Sequence, residues 1–256
     1  MRKLIVNADD FGFSKNTFEW TVQGFEEGKL SSATLMANMP YTEAAVAYAK
    51  QHPQFGFGVH LYFSDEVPVS RPKDIPSMID PATGNLWQTR QFILRSLTGR
   101  IRISDLKREI SAQITVLKDL GLDISHVDGH GHMHRLPTSL FALSLLKKEF
   151  GIRVIRRAQN VYGAPASAAS RLFNSLMQIP LQARFRCPDL FLMTAGKITE
   201  ADSHWFSQAL QHSWNGIYEI GVHPGDDEAW RILDCKDMFE TTYPDDIELV
   251  TFREVQ

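Results

Sequence analysis

Four of the chain's nine histidines fall in one nine-residue stretch, His126-Val127-Asp128-Gly129-His130-Gly131-His132-Met133-His134. Imidazole is the commonest side-chain metal ligand and the usual proton carrier near neutral pH, and a carboxylate sits in the same stretch. Two internal glycines disfavour a continuous helix and favour an extended or looping backbone, where functional groups collect. The chemistry predicted is a metal site with catalytic use. The plainer alternative is a solvated polar loop that binds metal only adventitiously.

Other residues of the same kind lie far away in sequence. Asp9-Asp10 follows the apolar run Leu4-Ile5-Val6. Two close carboxylates repel, and one pKa rises unless a cation sits between them. The pair is either one metal ligand and one general base or a solvated turn that caps the helix opening at Ser14. Adjacent residues of an extended strand point apart, so joint use of the pair requires the backbone to turn there. His60 and His223 each end an apolar run, where a lone histidine is usually a hydrogen-bonded structural residue. Joint placement changes that reading, since Asp9, Asp10, His60, His130 and His223 all fall at predicted strand ends. Two His and one Asp suit a divalent cation with open positions. Glu219 supports the site or pairs with Arg156 or Arg157. Phe11, Phe13, Tyr62, Phe63 and Trp87 are candidates for a sugar-binding wall, with core packing the plainer use. His52, His204 and His212 receive no function. The chain has no Gly-x-Ser-x-Gly elbow and no phosphate loop, and neither Cys187 nor Cys235 has a histidine nearby in sequence, so a covalent nucleophile is the weaker class.

These residues need elements to position them. Leu4-Ile5-Val6 reads as a strand buried on both faces, as in parallel sheets. A helix follows from Ser14 to Glu27, closed by Gly28. Residues 32–39 read as a strand, 42–51 as a helix and 57–61 as a strand. Residues 62–103 have no clean period, apart from a short helix near 91–97, and form a long loop of the kind that serves as a lid. An amphipathic helix starts at Ser104 with Leu106, Ile110, Ile114, Leu117 and Leu120 on one stripe. A strand at 124–127 delivers the histidine cluster, and Pro137 opens the next helix. Residues 152–155 read as a strand. An insertion covers 158–190, helical at 170–177. Strands at 190–193 and 217–222 flank a helix at 201–212, and the remainder reads as helix and loop. Alternating strands and helices predict an α/β fold with a parallel sheet. Polar residues recur after nearly every strand, which favours a single, irregular (β/α) barrel of about seven strands over an open sheet with one switch point.

Length and composition agree. The 256 residues suit one such domain, and 43% hydrophobic with 22% charged residues is ordinary for a globule with a full core. The net charge of −3, with no evident basic patch or Lys/Arg run, argues against nucleic acid or an anionic membrane as partner. Two distant cysteines argue against a disulfide framework or a thiolate zinc site. The N-terminal apolar run is too short for a signal peptide, and no run reaches membrane-spanning length. The expected setting is cytoplasmic, with no membrane insertion.

Four motifs together carry a family resemblance. Asn7-Ala8-Asp9-Asp10-Phe11-Gly12, Gly58-Val59-His60-Leu61, the 126–134 stretch and Gly221-Val222-His223-Pro224-Gly225 resemble, in order, the signatures of the YdjC-like (ChbG–HpnK) carbohydrate deacetylases. The resemblance covers most of the chain and is weakest over 158–215 and at the C-terminus. It implies a (β/α) barrel and one divalent metal, Mg²⁺ or Zn²⁺, held by Asp10, His60 and His130, with Asp9 as general base and His223 as general acid. It also implies an N-acetylated sugar as substrate; a homodimer is compatible with it. Asp128, His134, Arg156, Glu219 and Phe11 form a supporting or substrate-contacting rank, with His126 and His132 structural. The family usually has Ser at Gly129 and a further His at Gly131, and these small residues are expected to widen the mouth of the site. Competing readings are another metal-dependent barrel hydrolase, acting on a phosphoester or a cyclic amide, and a non-catalytic metal- or sugar-binding protein. The proton carriers argue against the second, because binding alone needs none.

Overall fold

The computed structural model describes residues 1–162, 167–194, 204–226 and 229–255. Its strands are β1 (Arg2–Phe11), β2 (Ser32–Leu35), β3 (Gly56–Leu61), β4 (Val127–Gly129), β5 (Leu190–Leu192), β6 (Ile217–Val222) and β7 (Ile247–Leu249). The helices are α1 (Lys15–Glu26), α2 (Thr42–Gln51), α3 (Thr89–Leu97), α4 (Ile103–Asp119), α5 (Pro137–Phe150), α6 (Ala168–Gln182), α7 (Trp205–Gln211) and α8 (Ala229–Glu240). All named strand pairs are parallel, in the order β4-β3-β2-β1-β6-β5. The sheet curls into an irregular (β/α) barrel. Beyond β4, the isolated bridges Val127–Ile155 and Val154–Arg186 continue the hydrogen bonding toward the segment that leads into β5.

β1 is the axis of the sheet. β6 pairs along one edge from Lys3 to Ala8, whereas the other edge is shared. β7 pairs with Arg2–Leu4 there, and β2 pairs from Asn7 onward. β7 lies where the sequence reads as helix and loop. Its three residues are only half-buried and carry no strand period of their own, so pairing with β1 creates the strand. Residues 152–155, expected as a strand, instead make single bridges on either side. The strand expected at 124–127 runs later, because the ladder with β3 aligns Val59 with Val127, His60 with Asp128 and Leu61 with Gly129.

The expected lid is pinned rather than loose. Buried Glu109 on α4 accepts hydrogen bonds from the backbone N–H groups of Val69 and Ser70, both at 2.9 Å. One turn earlier Asp105 accepts from Ser77 N–H, and one turn later Gln113 bonds both the N–H and the C=O of Tyr62. Residues four apart on a helix share a face. α4 therefore presents apolar Leu106, Ile110, Ile114 and Leu117 to the core and a polar row to a segment with little secondary structure of its own. Side-chain bonds there replace a sheet ladder in satisfying buried backbone groups. Within the segment, α3 is the expected short helix, begun two residues early. α6 is longer than expected. Of the helix expected at 201–212, residues 201–203 lie outside those described, and α7 runs from Trp205 to Gln211.

Most of the core lies between the sheet and its helices. A second, smaller cluster of Ile5, Val154, Ile217, Val250, Phe252 and Val255 fills the lower interior of the barrel. His126 stacks on Phe252 there, ring centroids 3.5 Å apart. Gly58 makes room for that imidazole, since a Cβ on Gly58 would lie 2.5 Å from the ring. No helix among the described residues is long and apolar enough to cross a membrane.

Candidate active site

Period-2 alternation points Ile5, Asn7 and Asp9 of β1 into the barrel. Asp10 ought to face outward. It does not, because its φ is +60° and the pairing with β2 shifts register between Ala8 and Phe11. A left-handed non-glycine residue is uncommon and favours Asp and Asn among the exceptions. The turn brings both carboxylates to the same imidazole, that of His60, the condition the sequence left open.

Asp10 Oδ1 lies 3.2 Å from His60 Nε2 and 3.0 Å from His130 Nδ1. One ligand atom from each of the three lies within 4.8 Å of the others. His60 Nδ1 donates to Asp128 Oδ1 at 2.7 Å and Nε2 faces Asp10; burial opposes charge on the ring, but Asp128 and Asp10 outweigh it and hold the His60 pKa well above its ordinary value. A carboxylate fixing the tautomer of a ligating imidazole is the usual support for a metal-bound histidine. One carboxylate and two imidazoles form a donor set that suits a divalent cation with open positions. A second cluster, Asp9, His60 and Asp128, is also close-set. It fits a metal poorly, because a resident cation already lies between its carboxylates.

That cation is Arg156, fully buried. Its Nη1 and Nη2 donate to the two oxygens of Asp9, each at 2.7 Å, and Nη1 lies 2.7 Å from Asp128 Oδ2. Its Nε donates to Glu219. Asn7 Nδ2 also donates to Asp9, at 2.9 Å, and Thr34 Oγ1 donates to Asp128 at 3.2 Å. Burial alone would raise the pKa of Asp9, but the charge and paired hydrogen bonds of Arg156 outweigh it and hold the carboxyl below the usual range. Burial likewise opposes the charge on Asp10, and His130 and His60 outweigh it. Glu219 goes the other way. Burial pushes it up to about 8 despite Arg156, so it holds its proton at neutral pH.

His223 directly follows β6, with Nε2 3.9 Å from Asp9 Oδ2. The loop after it folds tightly on the start of α1. Gly225 has φ +74°, and a Cβ on it would lie 2.3 Å from the Asn16 carbonyl oxygen. Arg231 of α8 reaches back to Asp226 at 3.1 Å and to Asp10 Oδ2 at 3.6 Å. Asp10, His130, Gly225, Asp226 and Arg231 open onto a cavity of about 390 Å³, also lined by Phe13, Ser14, Thr17 and Glu66.

The fold thus brings together Asp9, Asp10, His60, Asp128, His130, Arg156, Glu219 and His223. It keeps Phe11 and His134 away from the cavity. Phe11 is fully buried on the outer side of β1, stacked with Phe18 and Phe57, because the turn at Asp10 sends the next side chain to the helix layer. His134 is buried behind the cluster, and burial with Arg156 and Arg135 nearby lowers its pKa to about 3. Gly129 does not widen the mouth: a Cβ on it would lie 3.2 Å from His134 and from the Leu61 carbonyl oxygen, so the space is already filled. Sequence reasoning passed over Asn7, Thr34 and Arg231. Period 2 counted back from Asp9 marks Asn7, but no sequence signal distinguishes Arg231 from other helix arginines.

The family model for YdjC-like proteins matches residues 3–255. The chain belongs to the YdjC-like family. Among its relatives, a carbohydrate deacetylase of Brevibacillus brevis is 38% identical over 152 residues, 59% of this chain and 58% of that protein. One from Geobacillus stearothermophilus is 36% identical over 160 residues, 62% of each chain. Over these alignments the chain spans about three fifths of its relatives' length. A carbohydrate deacetylase of Vibrio campbellii aligns more widely, at 26% identity over 88% of this chain and 78% of that one. A crystal structure from Enterococcus faecalis V583, described as a cellobiose-phosphate cleavage protein, superposes with a TM-score of 0.74 at 21% identity, covering 98% of this chain and 97% of that one. It shares the fold.

Proposed function

We propose that this YdjC-like protein is a metal-dependent deacetylase that removes the acetyl group from an N-acetylated sugar, giving acetate and a free amino sugar. The observation that carries the reading is the division of labour between neighbours: Asp10 turns toward His60 and His130, while Asp9 is clasped by Arg156 beside His223. The names of the curated relatives support the substrate class. The match from 3 to 255 supports treating the chain as one catalytic domain.

Asp10, His60 and His130 would hold one divalent ion, Mg²⁺ or Zn²⁺. Such an ion supplies Lewis acidity for the acetamide carbonyl and lowers the pKa of water toward neutrality. Asp9 accepts the proton of the attacking water. Arg156 and Asn7 fix both of its oxygens, so the acceptor is oriented in advance. His223 gives a proton to the nitrogen as the C–N bond breaks, which lets the amine depart neutral. Asp128 holds the His60 ring in its tautomer.

The test is acetate release from N-acetylglucosamine and N-acetylgalactosamine mono- and oligosaccharides, with and without chelator, beside phosphate release from sugar phosphates. Acetate release that chelator abolishes and divalent ion restores is expected. Asp9→Asn should keep metal stoichiometry yet lose at least about 10²-fold in kcat, the scale of one positioned proton carrier. Full turnover by that variant removes Asp9 from the reaction, and phosphate release without acetate replaces the substrate class.

A further inference from the structure

α6 is inside out. Its inward residues include Asn174 and Gln178, both buried; Asn174 bonds Arg135 and Tyr162, and Gln178 accepts from Ala158 N–H. Its outward residues include Leu172, Leu176 and Ile179, which are 61%, 52% and 68% exposed. They are spaced four and three apart, so they form one stripe. α6 runs beside α5 in the same direction: Arg135, just before α5, bonds Asn174 in α6, and Lys147 near the end of α5 bonds the Arg184 carbonyl just past α6. α5 adds exposed Phe141 and Leu145, one turn apart. Exposed apolar residues scattered singly need no explanation, whereas a stripe on α6 with a further pair on α5, two helices linked through Arg135 and Lys147, marks a docking face.

The charge around this face selects what covers it. Lys147, Arg153, Arg184 and Arg186 surround an open cavity of about 410 Å³ at the C-terminal ends of both helices, and among the described residues no acid lines it. Arg153 and Arg186 also line the adjoining cavity, which Arg253 joins. These cations are dispersed in a chain of net charge −3, and the fold gathers them. No Asp or Glu occurs between 168 and 186, and Glu149 is the only acid in α5. A second copy docked face to face would thus bring cations and apolar stripe with almost no acid to meet them.

We propose that the outer face of α5 and α6 rests on an anionic lipid bilayer. Its apolar stripe enters the boundary between headgroups and acyl chains, and the basic cavity seats lipid phosphate. An apolar stripe flanked by Lys and Arg is the pattern of interfacial helices that lie on a membrane without crossing it. The attachment is independent of the reaction at the other site.

The experiment is co-sedimentation of the full chain with phosphatidylcholine vesicles, with and without phosphatidylglycerol, at low and high salt. Circular dichroism confirms that each variant is folded, and light scattering gives its mass. Binding is expected only with phosphatidylglycerol and should weaken with salt. Leu176→Glu/Ile179→Glu and Arg184→Glu/Arg186→Glu should each lower the partition coefficient by at least about tenfold. Equal binding to both vesicle types overturns the proposal, as does a folded Leu176→Glu/Ile179→Glu variant that binds like the parent. A parent that ignores vesicles but is a dimer, and becomes a monomer on Leu176→Glu/Ile179→Glu, makes the face an interface between copies and overturns it too.

Discussion

The upper and lower halves of the barrel interior are built from the same strands and do opposite things. Below, Ile5, Ile217 and Val250 pack around Phe252, and the only polar ring among them, His126, is stacked and held neutral by burial. Above, the same strands, two to four residues further on, carry Asn7, Asp9 and Glu219, and Arg156 lies among the carboxyl groups of Asp9, Asp128 and Glu219. A protein interior tolerates apolar filling without specification, but tolerates charge only where each group has a partner. The lower half therefore sets stability, while the upper half uses stability to hold groups ready.

The largest effect that separates the halves should come from Arg156→Ala. It leaves Asp9 and Asp128 buried without their cation, at a cost on the order of 3–5 kcal/mol, the scale for breaking a buried ion pair. Urea titration reads the loss, and acetate release should vanish with it. Retained stability would mean that the carboxylates find solvent, and the contrast between the halves would fail. Phe252→Ala should cost about 3 kcal/mol by opening a cavity under His126, in the range for buried aromatics. Below its lowered melting temperature, kcat per folded molecule should stay at the parent value. A fall in kcat would show that the plug also positions the site.

Asp128→Asn acts within the upper half. It weakens the hold on His60 and should reduce divalent-ion affinity about 10–100-fold, read by competition with a chromogenic chelator. The smallest effect is expected from Glu219→Gln. The folded pKa of Glu219, about 8, lies above its ordinary value of 4.5. The folded state therefore binds the extra proton, and the stabilisation is complete below pH 4.5 and is lost as pH rises through 8. Gln cannot ionise, so melting temperatures of parent and variant should agree below pH 4.5 and diverge progressively as pH rises toward 8, reaching a few degrees by pH 9, with the variant the more stable. Parallel curves would show that Glu219 is ionised throughout.

The parts of the site legible in the sequence are those whose side-chain type is informative alone. Asp9, Asp10, His60, His130 and His223 stand out because apolar strands seldom end repeatedly in ligand-forming residues. The barrel was legible from the alternation of runs and caps, as with Ser14, which caps α1 as its position suggests. What was not legible depends on partners remote in sequence. Arg156 was legible as a partner for Glu219, but not as the shared cation of Asp9 and Asp128 as well. Phe11 looked available because nothing in its neighbours announces the turn before it. β7 exists through its pairing with β1. The sequence marks α6 only as a helix within an insertion, and Arg135, Tyr162 and Ala158 decide that its polar side faces inward.

The left-handed residue at Asp10 can be seen as a single break in parity. A strand shows each face every second residue, so it cannot offer two successive side chains to one wall without a break. Here the break falls on the second carboxylate itself. Moving it one residue earlier or later would exchange one of the two acids for an apolar neighbour, Ala8 or Phe11. In the proposed reaction, the distinction between a residue that holds an ion and one that moves a proton thus depends on where a strand of ten residues miscounts once.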